Sequence, residues 1–382
     1  FMSGLYWRNS NEINEKTISE IEKILSSLNE ADMRQVILGL IAISTKCNCA
    51  VNAYYIHKKL SSMNPYRKDY ILSFFLLKQY DRIKVISDMC ERAIALKCAV
   101  FEEGNILLWK ILLCWGTGSN DIKLRDKASK GLTNLFRLYP SDMLTIVDLF
   151  KDVKDDYIHE RIWQSIYSAL VLLNERKNIV PILQYIKNNI ILAGIWPQNV
   201  LLRDYLRKIF EYAFYKGWCT EREVVLVRPP YKSPKHKADK MFALPLKEQY
   251  ERLYWNCQES DFAIYTIPSE VEDYGVTKKE VGLMIFEDIV KSGYRPCMKY
   301  DNYIDYTYGS LRNRDGQVER LGKKYQKIYL YRELGNIYDN YKYVPRFKYS
   351  DVEFVCPEQG NSFRNIDLMA LPKDNNFVET KF

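Results

Sequence analysis

The sequence predicts a mainly α-helical protein: a helical repeat array followed by a smaller α+β, mostly helical C-terminal module. Three observations carry this prediction. Helical periodicity dominates the first part of the chain, the breaks between periodic stretches are short, and the composition changes near Trp218. We therefore divide the chain into a repeat array at 1–218, a linker at 219–245 and a tyrosine-rich, basic module at 246–382.

The array begins with an amphipathic helix. From Ile13 to Leu28, apolar residues recur at spacings of three, four and seven, with Glu and Lys between them. Asp32 is placed to cap the next helix. Further helices are predicted at 66–79, 82–97, 106–115, 125–138, 142–148, 157–173, 179–188 and 200–216. The short breaks, such as Asn64-Pro65, contain residues that end or start helices, so neighbouring helices should be antiparallel.

A weak internal repeat lies inside the array. Residues 122–136 and 200–214 both carry Leu-Arg-Asp near a helix start, a Lys five residues after the Arg, and a closing Phe. The pairs Arg125-Asp126 and Arg203-Asp204 are 78 residues apart. This spacing implies a unit of about 40 residues with two helices, which is typical of HEAT and armadillo repeats. Chance similarity of two helices is the alternative.

The second part of the chain combines strand-like and helical patterns. Residues 231–240 are polar and contain a proline, as expected of a linker. Thr277, with Glu280 three residues on, has the capping-box pattern of a helix start. Two short strands are predicted at 223–227 and 261–268, two helices at 277–292 and 318–341, and further short strands and loops at 345–382.

The composition is that of a globular protein, with 47% hydrophobic and 27% charged residues. The net charge of +8 permits nucleic-acid binding without indicating it. Nine scattered cysteines are typical of reduced, buried thiols in a cytosolic protein. Because no apolar run approaches the roughly 20 residues of a bilayer span and no signal peptide opens the chain, we expect a cytoplasmic protein without a membrane partner. The start at Phe1 suggests a piece of a longer protein.

No complete catalytic motif is visible. The loop at 116–119 lacks the Lys-Ser/Thr of a P-loop, and we expect it to end a helix. Cys47 and Cys49 lack the second ligand pair of a structural zinc site. The three histidines, His57, His159 and His236, are flanked by charges and expected to be solvated. We therefore predict no catalytic site, no metal site and no cofactor in this region.

A cluster of carboxylates and a basic segment are the remaining candidates for a site. We expect the carboxylates at 152–160 to stabilise a helix start. The segment at 312–331 interleaves basic and aromatic residues, as a phosphate backbone and stacked bases would require. The same pattern is typical of Lys stems packed along a Tyr-rich helix. The candidate binding residues are Arg312, Arg314, Arg320, Lys323, Lys324, Tyr325 and Tyr329.

Several blocks resemble the C-terminal region of large bacterial STAND-class ATP-binding proteins, a class that includes the AVAST-type anti-phage sensors. The resemblance centres on Arg320, the Gly-Lys-Lys-Tyr-Gln run at 322–326 and the pair Asp339-Asn340. Residues 364–372 resemble a further segment, with Asn365 where the family has an acidic residue. The other similar blocks are 124–136, 152–170, 201–214, 227–233 and 261–267.

The resemblance implies a non-catalytic sensor whose helical region recognises a phage-encoded protein, terminase-like or portal-like. Recognition would license homo-oligomerisation of the parent protein and activate an effector. The ATP and Mg²⁺ of the parent would bind in a domain outside this chain. Aromatic and Arg side chains would anchor the partner, the candidates being Tyr325, Tyr329, Tyr331, Trp163 and Arg203.

Two alternatives stay open. One is a nucleic-acid-binding module built on residues 312–331, and the other is an enzyme with an unfamiliar site. The candidate residues for such a site are Asp301, Asp305, Tyr306, Arg320, Lys323 and Asp339.

Overall fold

The computed structural model describes residues 12–46, 48–78, 85–239, 245–296 and 318–344. In these ranges the regular elements are helices, which confirms the prediction of a mainly α protein. The two strands predicted at 223–227 and 261–268 are wrong: residues 221–225 form a short helix, and residues 262–271 form a π turn that continues into a helix. The strands predicted at 345–382 lie outside the described residues. None of the helices in the described ranges is long and apolar enough to span a membrane.

The chain divides into two compact units. Among the described residues, the first unit comprises 12–63 and 67–178, and the second comprises 64–66 and 179–344. The division lies before the predicted composition change at Trp218. The physical reason is that the helix at 200–215 packs against the long helix at 321–340 of the second unit.

The first unit contains nine helices among the described residues, and a 3₁₀ turn (Pro140–Asp142) precedes the eighth. They are α1 (Glu15–Ser27), α2 (Glu30–Ile43), α3 (Ala53–Ser61), α4 (Pro65–Lys78), α5 (Val85–Ala95), α6 (Glu103–Thr117), α7 (Ile122–Leu138), α8 (Met143–Phe150) and α9 (Asp156–Leu173). Helix α7 packs against α5, α6 and α9, and its small or apolar side chains, such as Ala128 and Leu132, are fully buried there.

Helix α10 (Arg176–Ile186) begins at the end of the first unit and leads into the second. The further helices are α11 (Val200–Tyr215), α12 (Glu221–Val225), α13 (Glu251–Gln258), α14 (Ile267–Val271), α15 (Lys278–Lys291) and α16 (Leu321–Asn340). Helix α15 packs against α13, α14 and α16, and α16 also contacts α11. Helix α16 is therefore the element around which the second unit is assembled.

Most helix starts follow the sequence, with one correction. Thr277 and Glu280 form the predicted capping box of α15. The prediction that Asp32 caps α2 is wrong, because the helix begins at Glu30 and the Asn29 side chain accepts a hydrogen bond from the Asp32 backbone amide at 3.0 Å. An asparagine is as good an N-cap as an aspartate, and here it stands one turn earlier.

The two Leu-Arg-Asp segments have matching surroundings in their own units. Asp121 and Asn199, four residues before Arg125 and Arg203, cap α7 and α11 with their side-chain oxygens. Each arginine donates to the backbone carbonyl oxygen six positions earlier, at 3.1 and 2.5 Å. Both arginines are buried, so they are structural parts of their helices.

Each of these arginines also lies against a tyrosine from further along the chain. The guanidinium carbon of Arg125 is 4.5 Å from the ring centre of Tyr157, and that of Arg203 is 4.8 Å from the ring centre of Tyr231. Stacking of a weakly hydrated guanidinium on an aromatic face suits a buried position. The sequence similarity of the two segments thus corresponds to a similar packing of their arginines.

The aspartates that follow the two arginines have different partners. Asp126 of α7 accepts from Arg161 of α9 at 3.0 Å, which joins two neighbouring helices. Asp204 pairs with Lys208 one turn later in the same helix, at 3.0 Å. Asp126 therefore joins two neighbouring helices, whereas the ion pair of Asp204 lies within one helix.

Of the carboxylates at 152–160, Asp155 stabilises a helix start, as predicted. Asp155 caps α9 by accepting from the Tyr157 amide at 3.1 Å, and its other oxygen accepts from Lys68 at 2.9 Å. Both partners of this ion pair are buried. The carboxylates therefore serve the packing of the first unit.

The described cysteines are free thiols, and most of them are buried. Burial raises the pKa of Cys90 to about 12 and that of Cys114 well above its usual range. Cys98 is the exposed exception, and Cys47 lies outside the described residues. The prediction of reduced, buried thiols is confirmed for Cys90 and Cys114.

The expectation of a solvated histidine is wrong for His57. Its ring is buried between Trp115, with ring centroids 5.6 Å apart, and Phe150, at 4.6 Å. The charges that flank it in the sequence lie on the other side of α3, because helical neighbours point in different directions. Burial lowers the pKa of His57, since the charged imidazolium loses its hydration there.

His57 should give the first unit a specific sensitivity to acid. Because its pKa in the folded chain is lowered, its contribution to stability is complete above the unfolded value of about 6.5 and is lost as the pH falls through the folded-state pKa. We expect the thermal midpoint to fall more steeply between about pH 7.5 and 5 in the wild type than in a His57→Leu variant. Differential scanning calorimetry measures both curves, and parallel curves would contradict the prediction.

Candidate functional site

The basic segment predicted to bind a partner is only partly described. Arg312 and Arg314 lie outside the described residues, as do Asp301, Asp305 and Tyr306 of the enzyme hypothesis. Arg320 occupies the N-cap position of α16 and is half-buried, and Lys323 in the first turn is exposed. These two are the accessible members of the predicted set within the described ranges.

The other predicted binding residues of α16 face its packed side. Lys324, Tyr325 and Tyr329 are buried, and the Tyr325 ring lies 4.9 Å from that of Tyr294. Tyr331 is half-buried. For Lys324, Tyr325 and Tyr329 the position agrees with packing along a helix, which was the alternative interpretation of this segment.

Two further candidate anchors are buried as well. Trp163 is a core residue of α9. Arg203 is 1% exposed at its side chain and pairs with Asp339, whose side chain is 2% exposed. Two parallel hydrogen bonds, of 3.1 and 2.9 Å, join the guanidinium to the carboxylate. Asp339 is thus engaged in a structural ion pair between α11 and α16.

The segment predicted to be a solvated linker runs along α16 at residues 231–239. Ser233 donates to the Asp339 carboxylate, and the Asn340 side chain donates to the Ser233 carbonyl at 3.2 Å. The His236 backbone amide donates to the Asn336 side chain at 2.9 Å. Since the bonds recur at successive turns of α16, this segment, which we call the strap, is fixed to the helix.

The strap ends in a cluster of titratable side chains from three elements. His236 of the strap lies against Glu333 of α16, with 2.8 Å between Nδ1 and Oε1. Asp288 of α15 completes the group. A ring nitrogen of His236 and one carboxylate oxygen each of Asp288 and Glu333 all lie within 4.8 Å of one another. The Glu333 side chain is 4% exposed and that of His236 is 26% exposed, and Asp288 is half-buried, so the cluster is partly open to solvent.

Electrostatics in the cluster are unusual. Loss of hydration and the neighbouring Glu333 carboxylate raise the pKa of Asp288 to about 7. The hydrogen bond to Glu333 raises the pKa of His236. Perturbed groups of this kind that converge at one place are typical of functional sites, although ion-pair networks produce them too.

The surrounding residues hold the cluster in place. The Asn336 side chain donates to the other oxygen of Glu333 at 3.1 Å, so the carboxylate is fixed on both sides. Glu287, next to Asp288, accepts from the Asp239 backbone amide at 2.8 Å and pairs with Lys291. Both ends of the strap segment around His236 are therefore tied to α15 or α16.

A cleft of about 570 Å³ lies beside the strap. Its walls come from the strap, α13 and the first turns of α15, and its lining includes Lys237, Tyr254, Lys279, Leu283 and Tyr341. The His236 cluster is not part of its lining. The cleft is therefore a separate feature of the second unit.

Sequence reasoning did not find the cluster. His236 is flanked by lysines, which indicated a solvated position, and Asp288 and Glu333 are 52 and 97 residues further on. The sequence did contain one signal for this cluster. Acidic residues stand within otherwise apolar, packed stretches of two helices, namely Glu287 and Asp288 in α15 and Glu333 in α16. The sequence blocks that resemble the STAND-class proteins contain four residues that contact one another in the structure: Arg203, Tyr231, Ser233 and Asp339.

No family model, curated protein or solved structure matches the chain. By its fold, the chain is a mainly helical protein whose second unit is built around α16, with a buried ion pair and a histidine–carboxylate cluster at the strap.

Proposed function

We propose that this chain is the non-catalytic, protein-binding sensor region of a bacterial STAND-type NTPase, with helix pairs stacked as in HEAT repeats. It recognises a phage-encoded protein of the terminase or portal type. Recognition licenses oligomerisation of the parent and activation of its effector in the cytoplasm, while ATP and Mg²⁺ bind elsewhere in the parent. The sequence blocks that resemble this class support the proposal.

The observation that carries a protein-binding role is an exposed apolar surface at the end of α11 and on the adjacent α12. We call it the α11–α12 surface and define it by Phe214, Tyr215, Val225 and Leu226. Tyr215 is 78% exposed and Val225 is 56% exposed. Helices α11 and α12 contact each other, so these side chains share one region of the second unit. Exposed aromatic and aliphatic side chains gathered in one region are typical of protein-interaction sites.

Charges around this surface suit a specific contact. Arg228 holds Glu211 through two hydrogen bonds of 2.7 Å and lies 6.0 Å from the Phe214 ring centre. Lys216 lies within 6 Å of the Tyr215 ring centre, at 5.8 Å. An apolar centre with a charged rim is the usual anatomy of a protein–protein interface. Nucleic-acid binding is supported less, because Lys324, Tyr325 and Tyr329 are buried.

The proposal predicts saturable binding of a phage terminase or portal protein to the purified chain, unaffected by nuclease. A Tyr215→Ala/Leu226→Ala double variant should bind at least about 30-fold more weakly, since removing a central anchor costs about 2 kcal/mol. The control is Val100→Ala, which truncates a 63% exposed apolar side chain of the first unit. Biolayer interferometry against a panel of purified phage terminases and portal proteins measures these affinities.

Three results would contradict the proposal. The panel could show no binding, the double variant could bind as tightly as Val100→Ala, or the chain could retain only nucleic acid, with an affinity that falls steeply with salt. The last result would favour the basic segment at 312–331 as the binding element.

A further inference from the structure

The donor atoms at the strap form a set that transition metals prefer. His236 offers an imidazole nitrogen, and Asp288 and Glu333 offer carboxylate oxygens. Imidazole suits Zn²⁺ and its neighbours in the first transition row, and carboxylates are common partners of imidazole in such sites. The three ligands come from the strap, α15 and α16, so an ion bound there would join three elements.

One of the distances is close to that around a bound ion. Bond lengths of about 2.0–2.2 Å place neighbouring ligand atoms of a tetrahedral or octahedral ion about 3.0–3.5 Å apart. Nδ1 of His236 and Oε1 of Glu333 are 2.8 Å apart, and the whole set lies within 4.8 Å. Binding of an ion therefore requires the half-buried Asp288 side chain to move towards the other two.

The charge balance also favours a divalent cation. With both carboxylates ionised and the imidazole neutral, as metal binding requires, the three side chains carry two negative charges. The Arg332 guanidinium offsets part of this charge at Asp288, and Lys291 pairs with Glu287. A buried pair of carboxylates beside one imidazole is costly unless a cation compensates it. A divalent ion neutralises both carboxylates at once.

We propose that His236, Asp288 and Glu333 bind one divalent transition-metal ion, of which Zn²⁺ is the preferred member, and that this ion fixes the strap to α15 and α16. Asn336 is the supporting residue, because its side chain donates to Glu333 and accepts from the His236 amide. Such outer partners orient metal ligands, and their loss weakens metal binding about 10–100-fold.

The site has a structural consequence rather than a catalytic one. In the absence of the ion, the strap is held by its hydrogen bonds to α16. Bound metal adds a link between the strap and α15, so it stabilises the folded second unit by mass action. The site does not depend on the proposed sensor function, and it does not include the α11–α12 surface.

The test uses the tag-free 382-residue chain, stripped of metal with a chelator and titrated with Zn²⁺ in a calorimeter. We expect one high-affinity equivalent and a rise of the thermal midpoint on binding. Replacing Zn²⁺ with Co²⁺ should give the visible absorption bands of a nitrogen- and oxygen-ligated ion. These bands are a signature that non-specific stabilisation does not produce.

Single substitutions identify the ligands. His236→Ala and Asp288→Asn should each weaken Zn²⁺ binding at least about tenfold and remove the Co²⁺ bands. His159→Ala is the matched control, because it removes a half-buried histidine of the first unit and should leave both readouts unchanged. Circular dichroism of the metal-free variants establishes that they fold.

Two results would overturn the proposal. The first is the absence of a one-to-one binding event in the wild-type chain. The second is binding that folded His236→Ala and Asp288→Asn variants retain at the wild-type affinity. In the second case, loss of binding in His159→Ala would show that the metal is bound at His159 in the first unit.

Discussion

Replacing Arg203 with Ala is expected to lower the free energy of unfolding of the second unit by about 3–5 kcal/mol. The substitution leaves the Asp339 carboxylate buried and without the guanidinium that holds it through two hydrogen bonds. It also removes the stacking on Tyr231 and the hydrogen bond to the Pro197 carbonyl. Denaturant unfolding followed by tryptophan fluorescence and circular dichroism measures the change in the transition midpoints.

Two controls separate the cost of an unpaired charge from the value of the pair. Lys177→Ala removes a surface ion pair with Glu175 and should change stability by less than about 1 kcal/mol. An Arg203→Met/Asp339→Leu double variant removes both charges and should recover part of the loss, because apolar residues of similar volume replace a buried pair well. If Arg203→Ala were as stable as Lys177→Ala, the buried ion pair would not hold α11 to α16.

The second large effect is expected at Gly282, where α15 touches α13. A Cβ atom built on Gly282 would lie 2.0 Å from the Cys257 carbonyl oxygen and 2.9 Å from the Gln258 side chain. The nearest atom belongs to the backbone, so the helices have to separate. Gly282→Ala should therefore destabilise the second unit by at least about 2 kcal/mol, even though Ala favours a helix over Gly by about 1 kcal/mol. Thermal unfolding measures this loss.

Gly322 provides the matched control for that substitution. It also lies in a helix of the second unit, but its added Cβ would be 3.2 Å from the Tyr294 hydroxyl, so a shift of a few tenths of an ångström at the end of one side chain is sufficient to admit it. Gly322→Ala is expected to change stability by less than about 1 kcal/mol in either direction. Equal midpoints for Gly282→Ala and Gly322→Ala would show that α13 and α15 do not pack as closely as described.

Local patterns predicted the helices because apolar spacing, caps and breaks are properties of neighbouring residues. The capping box of Thr277 and Glu280 and the long helix over 318–341 were recognised in this way. The run at 223–227 was misread as a strand, since its β-branched residues outweighed a capping box formed by Thr220 and Glu223. Helix formation there depends on the cap and on packing against α11, which propensity does not include.

The candidate site could not be predicted from such patterns. Arg203 and Asp339 are 136 residues apart, and His236 meets Glu333 across 97 residues. A single sequence gives the residue types, but it does not show which residues far apart in the chain come into contact in the fold. The lysines around His236 indicated a solvated segment, because their own side chains are exposed while the histidine between them turns inward.

The strap also determines where the chain can be divided into fragments. A polar stretch with prolines between two helical regions is where a chain would ordinarily be cut for separate expression. In this protein, a fragment that ends before residue 231 would carry Arg203 without Asp339, and one that starts after residue 239 would carry Glu333 and Asn336 without the strap. Residues 200–340 therefore have to be kept together in any shortened version of the second unit.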